Sequence, residues 1–403
     1  MRKNFKILAL AAFAVSALVS CNKDNTSGGL TNYEQAIKAA AEKYVPNVIY
    51  DTYGKLAAAG KVLCDDIQAL NAKGVNGISQ TDVDKACTDF LAARAYWEAS
   101  EAFLFGAATD FSIDPHIDSW PLDRQGLANN LSNSRVMAAL AEDGVDAISQ
   151  LGETALGFHG IEFVLFRNGA NRSAAALKGE ETAEEFAGTG VTGEQELIYA
   201  AAVAEDLMNS LYQLNVSWNP DAPRAQKDAV DAAELNCTVN GSDNTYGDNM
   251  LGAAAAGSTY ASWQQVAKTV LSAGCASITD EVASTKMGQA HNGEDENYIE
   301  SPYSKNSFVD FKNNILSVQY SLYGAFGAGK PASDSFMAVL DKYHASEASM
   351  VKTALEGALS KLDTCIKNGH FVDDYKASYV GEAIEAIDAL TTALEAASAA
   401  IKD

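Results

Sequence analysis

The sequence predicts an all-α protein built of two helical-bundle domains related by duplication, with long irregular loops. Three observations carry this. Apolar residues recur at steps of three and four wherever the chain is regular, and no run alternates apolar with polar residues between turn pairs. The third is Asn219-Pro220-Asp221-Ala222-Pro223, where two close prolines break the helical rhythm in mid-chain. The expected domains are therefore residues 31–222 and 223–403.

At the start of the chain, Arg2, Lys3 and Lys6 precede an apolar run from Ile7 to Val19, the pattern of a secretory signal and too short for a membrane span. The run closes in Leu18-Val19-Ser20-Cys21, which looks like a bacterial lipoprotein lipobox in which Cys21 is acylated and becomes the new N-terminus. Residues 1–20 are then a signal peptide, and 21–30, polar with Gly and Ser, a flexible tether. Several acyl chains on one residue suffice for stable attachment. The expected location is the cell envelope, anchored by lipid to the outer membrane and either periplasmic or surface-exposed. Cleavage removes three positive charges from a chain of net charge −24, leaving −27. Such acidity excludes nucleic acid and anionic lipid surfaces as partners, so the membrane is met through the lipid anchor alone. It is compatible with cations as ligands.

Further along, Ile49, Tyr53, Leu56, Gly60, Leu63, Ile67 and Leu70 form the stripe of a packed helix. Val351, Leu355, Ala358, Leu362 and Cys365 repeat it, with a stop expected at Asn368-Gly369. Ala383, Ile387, Leu390, Leu394, Ala397 and Ile401 close the chain in the same rhythm. Between the helices, residues 106–121, 167–194, 236–259 and 288–306 read as loops of functional length. Duplication is suggested by an echo between Glu101-Ala102-Phe103-Leu104-Phe105-Gly106 and Gln319-Tyr320-Ser321-Leu322-Tyr323-Gly324. After Cys21 come Cys64, Cys87, Cys237, Cys275 and Cys365, with no C-x-x-C pair. They are no zinc cluster and read mostly as small core residues.

The chemistry is sparse. No two of the five histidines lie within ten residues of one another, so H-E-x-x-H is absent, and no G-x-S-x-G elbow, P-loop or G-x-G-x-x-G turn occurs. What stands out is Gly157-Phe158-His159-Gly160-Ile161-Glu162, polar groups heading an apolar stretch. On a helix His159 and Glu162 share a face, close enough to share a ligand or a proton. The segment from Trp97 to Gly106 adds Glu98 and Glu101 three apart, with Ser100 between them, and Asp114-Pro115-His116-Ile117-Asp118-Ser119-Trp120-Pro121 is a turn with two carboxylates. Imidazole and carboxylate together suit iron, zinc or manganese. His159 and Glu162 are thus metal ligands or a hydrogen-bonded pair, with Glu98, Glu101, Asp114 and Asp118 as complements.

Taken in order, the lipobox, the Ser100-Glu101-Ala102-Phe103-Leu104-Phe105-Gly106 segment, the turn from Ile113 to Asp123, the GFHGIE stretch, Ser301 to Asn306 and Asp310 to Ile315 resemble the imelysin family, whose hallmark is G-x-H-x-x-E. The resemblance spans the mature chain. It implies two helical bundles with the motif near the groove between them, Gly157, His159 and Glu162 as the motif residues, and Glu101, Asp118, Trp120, Arg124 and Ser304 in family-typical segments. It also implies a function: an envelope lipoprotein that binds a metal ion (iron or zinc), a metal chelate or an envelope iron-uptake protein in that groove and assists iron uptake. The alternative it carries is a metal-dependent endopeptidase, for which a second histidine is missing. A third reading is structural, with His159 locking helices together.

Overall fold

Capping chemistry starts the first helices in the structure, a computed structural model that describes residues 30–402. The expectations for the signal peptide, Cys21 and nearly all of the tether lie outside the described residues. Helix α1 (Asn32–Tyr44) opens on a capping box in which Thr31 and Glu34 each satisfy the other's backbone N–H. Helix α2 (Asp51–Gly77) buries Tyr53, Leu56, Gly60, Leu63, Ile67 and Leu70, the expected stripe, with Ile49 on a π-helical turn just ahead of it. Helix α3 (Gln80–Glu98) starts at a second capping box, Ser79 with Asp82. The first half also holds α4 (Ile113–Ile117), α5 (Gly157–Leu165) and α6 (Gly193–Trp218), with further helices over Arg124–Ser132 and Ser134–Asp143 between α4 and α5. α2 packs against α3 and α6, and α5 lies on α6.

The second half holds α7 (Ser307–Tyr323), α8 (Ala345–Asn368) and α9 (Ser378–Ala400). α8 pairs with α9, and α7 packs on α8. α8 stops at Asn368 as the sequence predicts, although Gly369 is extended (φ 172°) instead of left-handed. Two π-helical turns, Thr269–Ala276 and Glu281–Met287, pack on α9.

The expected loops hold more helix than their composition suggests. Residues 106–121 contain α4, held by buried Ile113 and Ile117; 236–259 contain Tyr246–Leu251, and 288–306 contain Gly288–Asn292. Elements this short offer one or two apolar anchors, too few for a period to show. The stretch 167–194 begins inside a two-residue antiparallel hairpin, Phe166–Arg167 with Ala170–Asn171. The five cysteines are free thiols, four of them buried. Among the described residues no helix is long and apolar enough to cross a membrane.

Asn219–Pro223 does interrupt the helices, between α6 and Arg224–Ala232, but a continuous apolar core runs across it. α1 packs on Trp263–Lys268 and Phe336–Tyr343, and α3 lies against α7. That α3–α7 seam carries the site.

Candidate metal centre

Two glycines set the geometry from which the centre is built. Gly157, the first residue of α5, has φ +64°, and a Cβ there would lie 1.9 Å from the carbonyl oxygen of Ile117. The end of α4 therefore rests directly on the start of α5, which brings Asp118 to His159. Gly160 does the same toward α6, since a Cβ would lie 2.1 Å from the Tyr199 hydroxyl, itself donating to the Ala155 carbonyl. Both glycines in GFHGIE are sites of close approach.

His159 and Glu162 do share a face, and both are buried. His159 Nδ1 is 3.3 Å from Glu162 Oε2. The other oxygen of Glu162 accepts from the backbone N–H groups of Tyr303 (3.1 Å) and Ser304 (2.8 Å) and from the Ser304 hydroxyl (2.7 Å). Glu162 thus ties α5 to the segment before α7, and Ser304 is its main donor. On the far side of the ring, Asp118 Oδ1 approaches His159 Nε2 at 3.1 Å but out of alignment, so Nε2 has no hydrogen-bond partner. Burial opposes a charge on this imidazole, yet the carboxylates of Asp118 and Glu162 push its pKa up to about 9.

Around this pair lies a buried charge network that the sequence only half reveals. Arg94, one turn before Glu98 on α3, is 1% exposed and reaches Asp118, Glu98 (2.5 Å) and Glu300 (2.6 Å). Lys286, also 1% exposed, sits 3.1 Å from Glu300, 3.5 Å from Glu101 and 3.8 Å from Glu98. Asp118 takes a further bond from Trp97 Nε1 at 2.6 Å, and Asn314 on α7 donates to Glu98 at 2.6 Å. Asp310 accepts from Ser301 and Asn306, both at 2.6 Å. Burial alone would raise Asp118, but Arg94 and His159 hold it far below the usual carboxylate range. Glu98 goes the other way: desolvation outweighs Arg94 and Lys286 and lifts it to about 7. Asp114, lifted to about 7 by burial and then by Asp118 and Glu281, stands at the rim.

Two trios here have the makings of a metal site: Asp118, His159 and Glu300, and Glu98, Glu101 and Asp118, with potential ligand atoms in each within 4.8 Å of one another. Two ligand atoms of the first trio, His159 Nε2 and Glu300 Oε2, are buried without a hydrogen-bond partner. Such atoms are costly in a protein interior unless something absent from the chain itself completes them.

The structure brings together Glu98, Glu101, Asp118, His159, Glu162 and Ser304. It leaves others outside. Ser100 is buried but donates to the Trp97 carbonyl, closing the end of α3. Trp120 packs against Tyr298 with the rings tilted and their centroids 4.2 Å apart. Arg124 pairs with Glu185 at 2.6 Å, its side chain 45% exposed. The residues that sequence reasoning missed are Arg94, Lys286, Glu300 and Asp310. Arg94 had one signal, its i,i+4 spacing to Glu98; Glu300 had none, because Arg94 lies 206 positions away and Lys286, 14 positions away, shares no helix with it.

Comparison with known proteins agrees with this fold. The sequence profile that defines the imelysins matches residues 49–397. Iron-regulated protein A of Synechococcus elongatus is 25% identical over 301 residues, which cover 75% of this chain and 68% of that protein. The crystal structure of a provisional iron-regulated protein A precursor from Parabacteroides distasonis superposes with a TM-score of 0.74 at 24% identity, over 93% of this chain and 97% of that one. An imelysin-like protein from Psychrobacter arcticum gives a TM-score of 0.58 at 13% identity, over 92% and 95% of the two chains. These structures share the fold, and with the profile spanning most of its length the chain belongs to the imelysin family.

Proposed function

We propose that this protein binds an iron-type metal cation at Asp118, His159 and Glu300, and that it serves iron handling at the cell envelope, held there by lipid on Cys21. The observation that carries the proposal is the pair of orphan atoms, His159 Nε2 and Glu300 Oε2, buried in one trio. An imidazole with two carboxylates is a ligand set for iron, zinc or manganese. The names of the Synechococcus and Parabacteroides relatives favour iron among these.

In this reading the motif divides its labour. Glu162 is the orienting carboxylate: it takes the Nδ1 side of the imidazole and leaves Nε2 for the metal, the arrangement common around metal-bound histidines. That replaces the expectation of Glu162 as a ligand, since three donors already occupy its Oε1. Metal binding displaces the proton from Nε2 and adds positive charge to a network rich in carboxylate. The peptidase reading is weaker on the same geometry. Glu162 is not free to act as a general base, and with His159 2% and Glu300 0% exposed a peptide bond does not reach the trio.

Calorimetric titration with ferrous, ferric and zinc ions tests the proposal. Wild type is expected to bind about one equivalent, His159→Ala and Glu300→Gln to lose it, and Glu162→Gln to weaken it roughly 10–100-fold, the usual effect of an orienting partner. Equal binding by wild type and His159→Ala would remove the histidine from the site.

A further inference from the structure

Lys286 has the environment of a bound cation. Its ammonium makes one hydrogen bond, to Glu300 at 3.1 Å, and two longer ion pairs, to Glu101 and Glu98 at 3.5 and 3.8 Å. One hydrogen bond and two long ion pairs for three donors are a poor return for burying an ammonium, whose desolvation penalty is several kcal/mol. Two of those partners, Glu98 and Glu101, form the second acidic trio with Asp118, and the third, Glu300, is fully buried with Oε2 unpartnered. The ammonium thus sits where the two candidate ligand sets meet.

It also has somewhere to go. Glu101 lines a cleft of about 370 Å³ together with Asp114, Glu281 and Asp110, so the second trio opens to solvent through an acidic mouth. Lys286 lies on the π-helical turn Glu281–Met287, whose i→i+5 pairing puts Glu281 one turn before it. π-Helical turns of this kind cluster at functional sites because their looser winding accommodates local shifts. A lysine stem is long and flexible enough to carry its charge from the inner carboxylates to the outer ones.

Building on the metal-binding reading above, we infer that Lys286 is a displaceable internal counter-ion: a multivalent cation entering through the Glu101–Asp114–Glu281 cleft takes its place among Glu98, Glu101 and Glu300, and the ammonium swings out to Glu281 and Asp114. Charge decides the exchange. A cation of charge two or more gains more from the same carboxylates than the single charge of lysine, whereas a monovalent ion or an amine gains no more. Lys286 therefore sets both the affinity and the valence selectivity of the centre.

The experiment compares mature wild type, Lys286→Met, Lys286→Arg, Glu101→Gln and the double variant Lys286→Met/Glu101→Gln. Each is titrated calorimetrically with ferrous and manganous ions, with sodium and potassium as monovalent controls, and melted with and without metal. Lys286→Met keeps the apolar stem and removes the competitor, so its metal affinity should rise at least tenfold, or a second equivalent should appear, and metal should raise its melting temperature more than that of wild type. Lys286→Arg should gain nothing. Should Lys286→Met fold poorly without metal, the double variant restores the charge balance, and it should bind more tightly than Glu101→Gln alone. Wild-type affinity and stoichiometry in folded Lys286→Met, or equal binding by the double variant and Glu101→Gln, would overturn the inference while leaving the metal site standing. Absence of binding in every variant would sink both readings. Binding that appears only on removal of Lys286 would show that a cation does not displace the ammonium, and would overturn the inference.

Discussion

Replacing Gly157 with alanine should damage stability and metal binding together, and the structure supplies its own controls. At φ +64° an L-residue costs about 1–2 kcal/mol. The new Cβ would also stand 1.9 Å from the Ile117 carbonyl, whereas ordinary contact begins at 3.4 Å, so α4 and α5 must part by about 1.5 Å. Forcing packed backbone apart adds roughly 1–3 kcal/mol, for a total of about 2–5. With an unfolding entropy of about 2.1 cal/mol/K per residue, a protein of this size loses roughly 1.3 °C per kcal/mol. Gly157→Ala should therefore melt about 3–6 °C below wild type. Gly144 has φ +56° with open space around it, so Gly144→Ala isolates the backbone term, about 1–3 °C. Gly152 has open space and no such φ, and Gly152→Ala should be silent. Because Asp118 follows Ile117, the displacement also pulls its carboxylate from the 3.1 Å contact with His159, and metal affinity should fall with stability. Differential scanning calorimetry on the three variants decides the matter. If Gly157→Ala melts with Gly144→Ala, the carbonyl contact carries nothing and the account of the motif glycine is wrong.

Arg94→Met should destabilise the fold by about 3–5 kcal/mol in urea, since it strands Asp118, Glu98 and Glu300 without their guanidinium; a change below 1 kcal/mol would show that the carboxylates find other partners. Asn314→Ala removes the donor to Glu98 and should cost about 1–3 kcal/mol by the same measurement. His116 bridges Asp206 and Glu153, both at 2.8 Å, and the Asp206 hydrogen bond, helped by Glu153, pushes its pKa up to about 9. Its folded pKa lies above the unfolded 6.5, so its stabilisation is complete below pH 6.5 and vanishes as pH rises through 9. The Glu153 side chain is 69% exposed, and screening reduces the contribution to about 1–2 kcal/mol. His116→Gln should differ from wild type by that amount at pH 6 and hardly at all at pH 10; a gap constant with pH would show that the pairing carries no charge.

What could be read from the sequence was whatever repeats or stands alone. The stripes of α2, α8 and α9 repeat, and each emerged as a packed helix. His159 stood alone in hydrocarbon, and Glu98, Glu101 and Asp118 were polar groups in apolar company; Asp118 meets His159, and Glu98 and Glu101 meet Asp118. The cations were hidden for the opposite reason. Arg94, flanked by Ala93 and Ala95, and Lys286, between Thr285 and Met287, carry no mark in the sequence that separates them from surface cations, and only the fold makes them buried. Arg124 shows the limit of reasoning by segment: it lies six residues from Asp118, yet the chain turns outward and leaves it with Glu185. The role of Glu162 could not be read either, because its donors, Tyr303 and Ser304, are about 140 positions away.

The seam between α3 and α7 has a consequence for the order in which the chain folds. Arg94 and Glu300 are 206 positions apart, and Glu98 and Asn314 are 216. A polypeptide made N-terminus first presents Arg94, Glu98, Glu101 and Asp118 long before Lys286, Glu300 and Asp310 arrive to complete their pairings. Closing so long a loop is slow, and nothing local rewards it in advance. Those early charges therefore stay hydrated until the second half has collapsed onto α8 and α9, and the centre is assembled in the last act of folding. A fragment ending near residue 222 then holds Glu98 and Asp118 on a single arginine, and it lacks Glu300 and Lys286, the carboxylate and the ammonium that complete the centre.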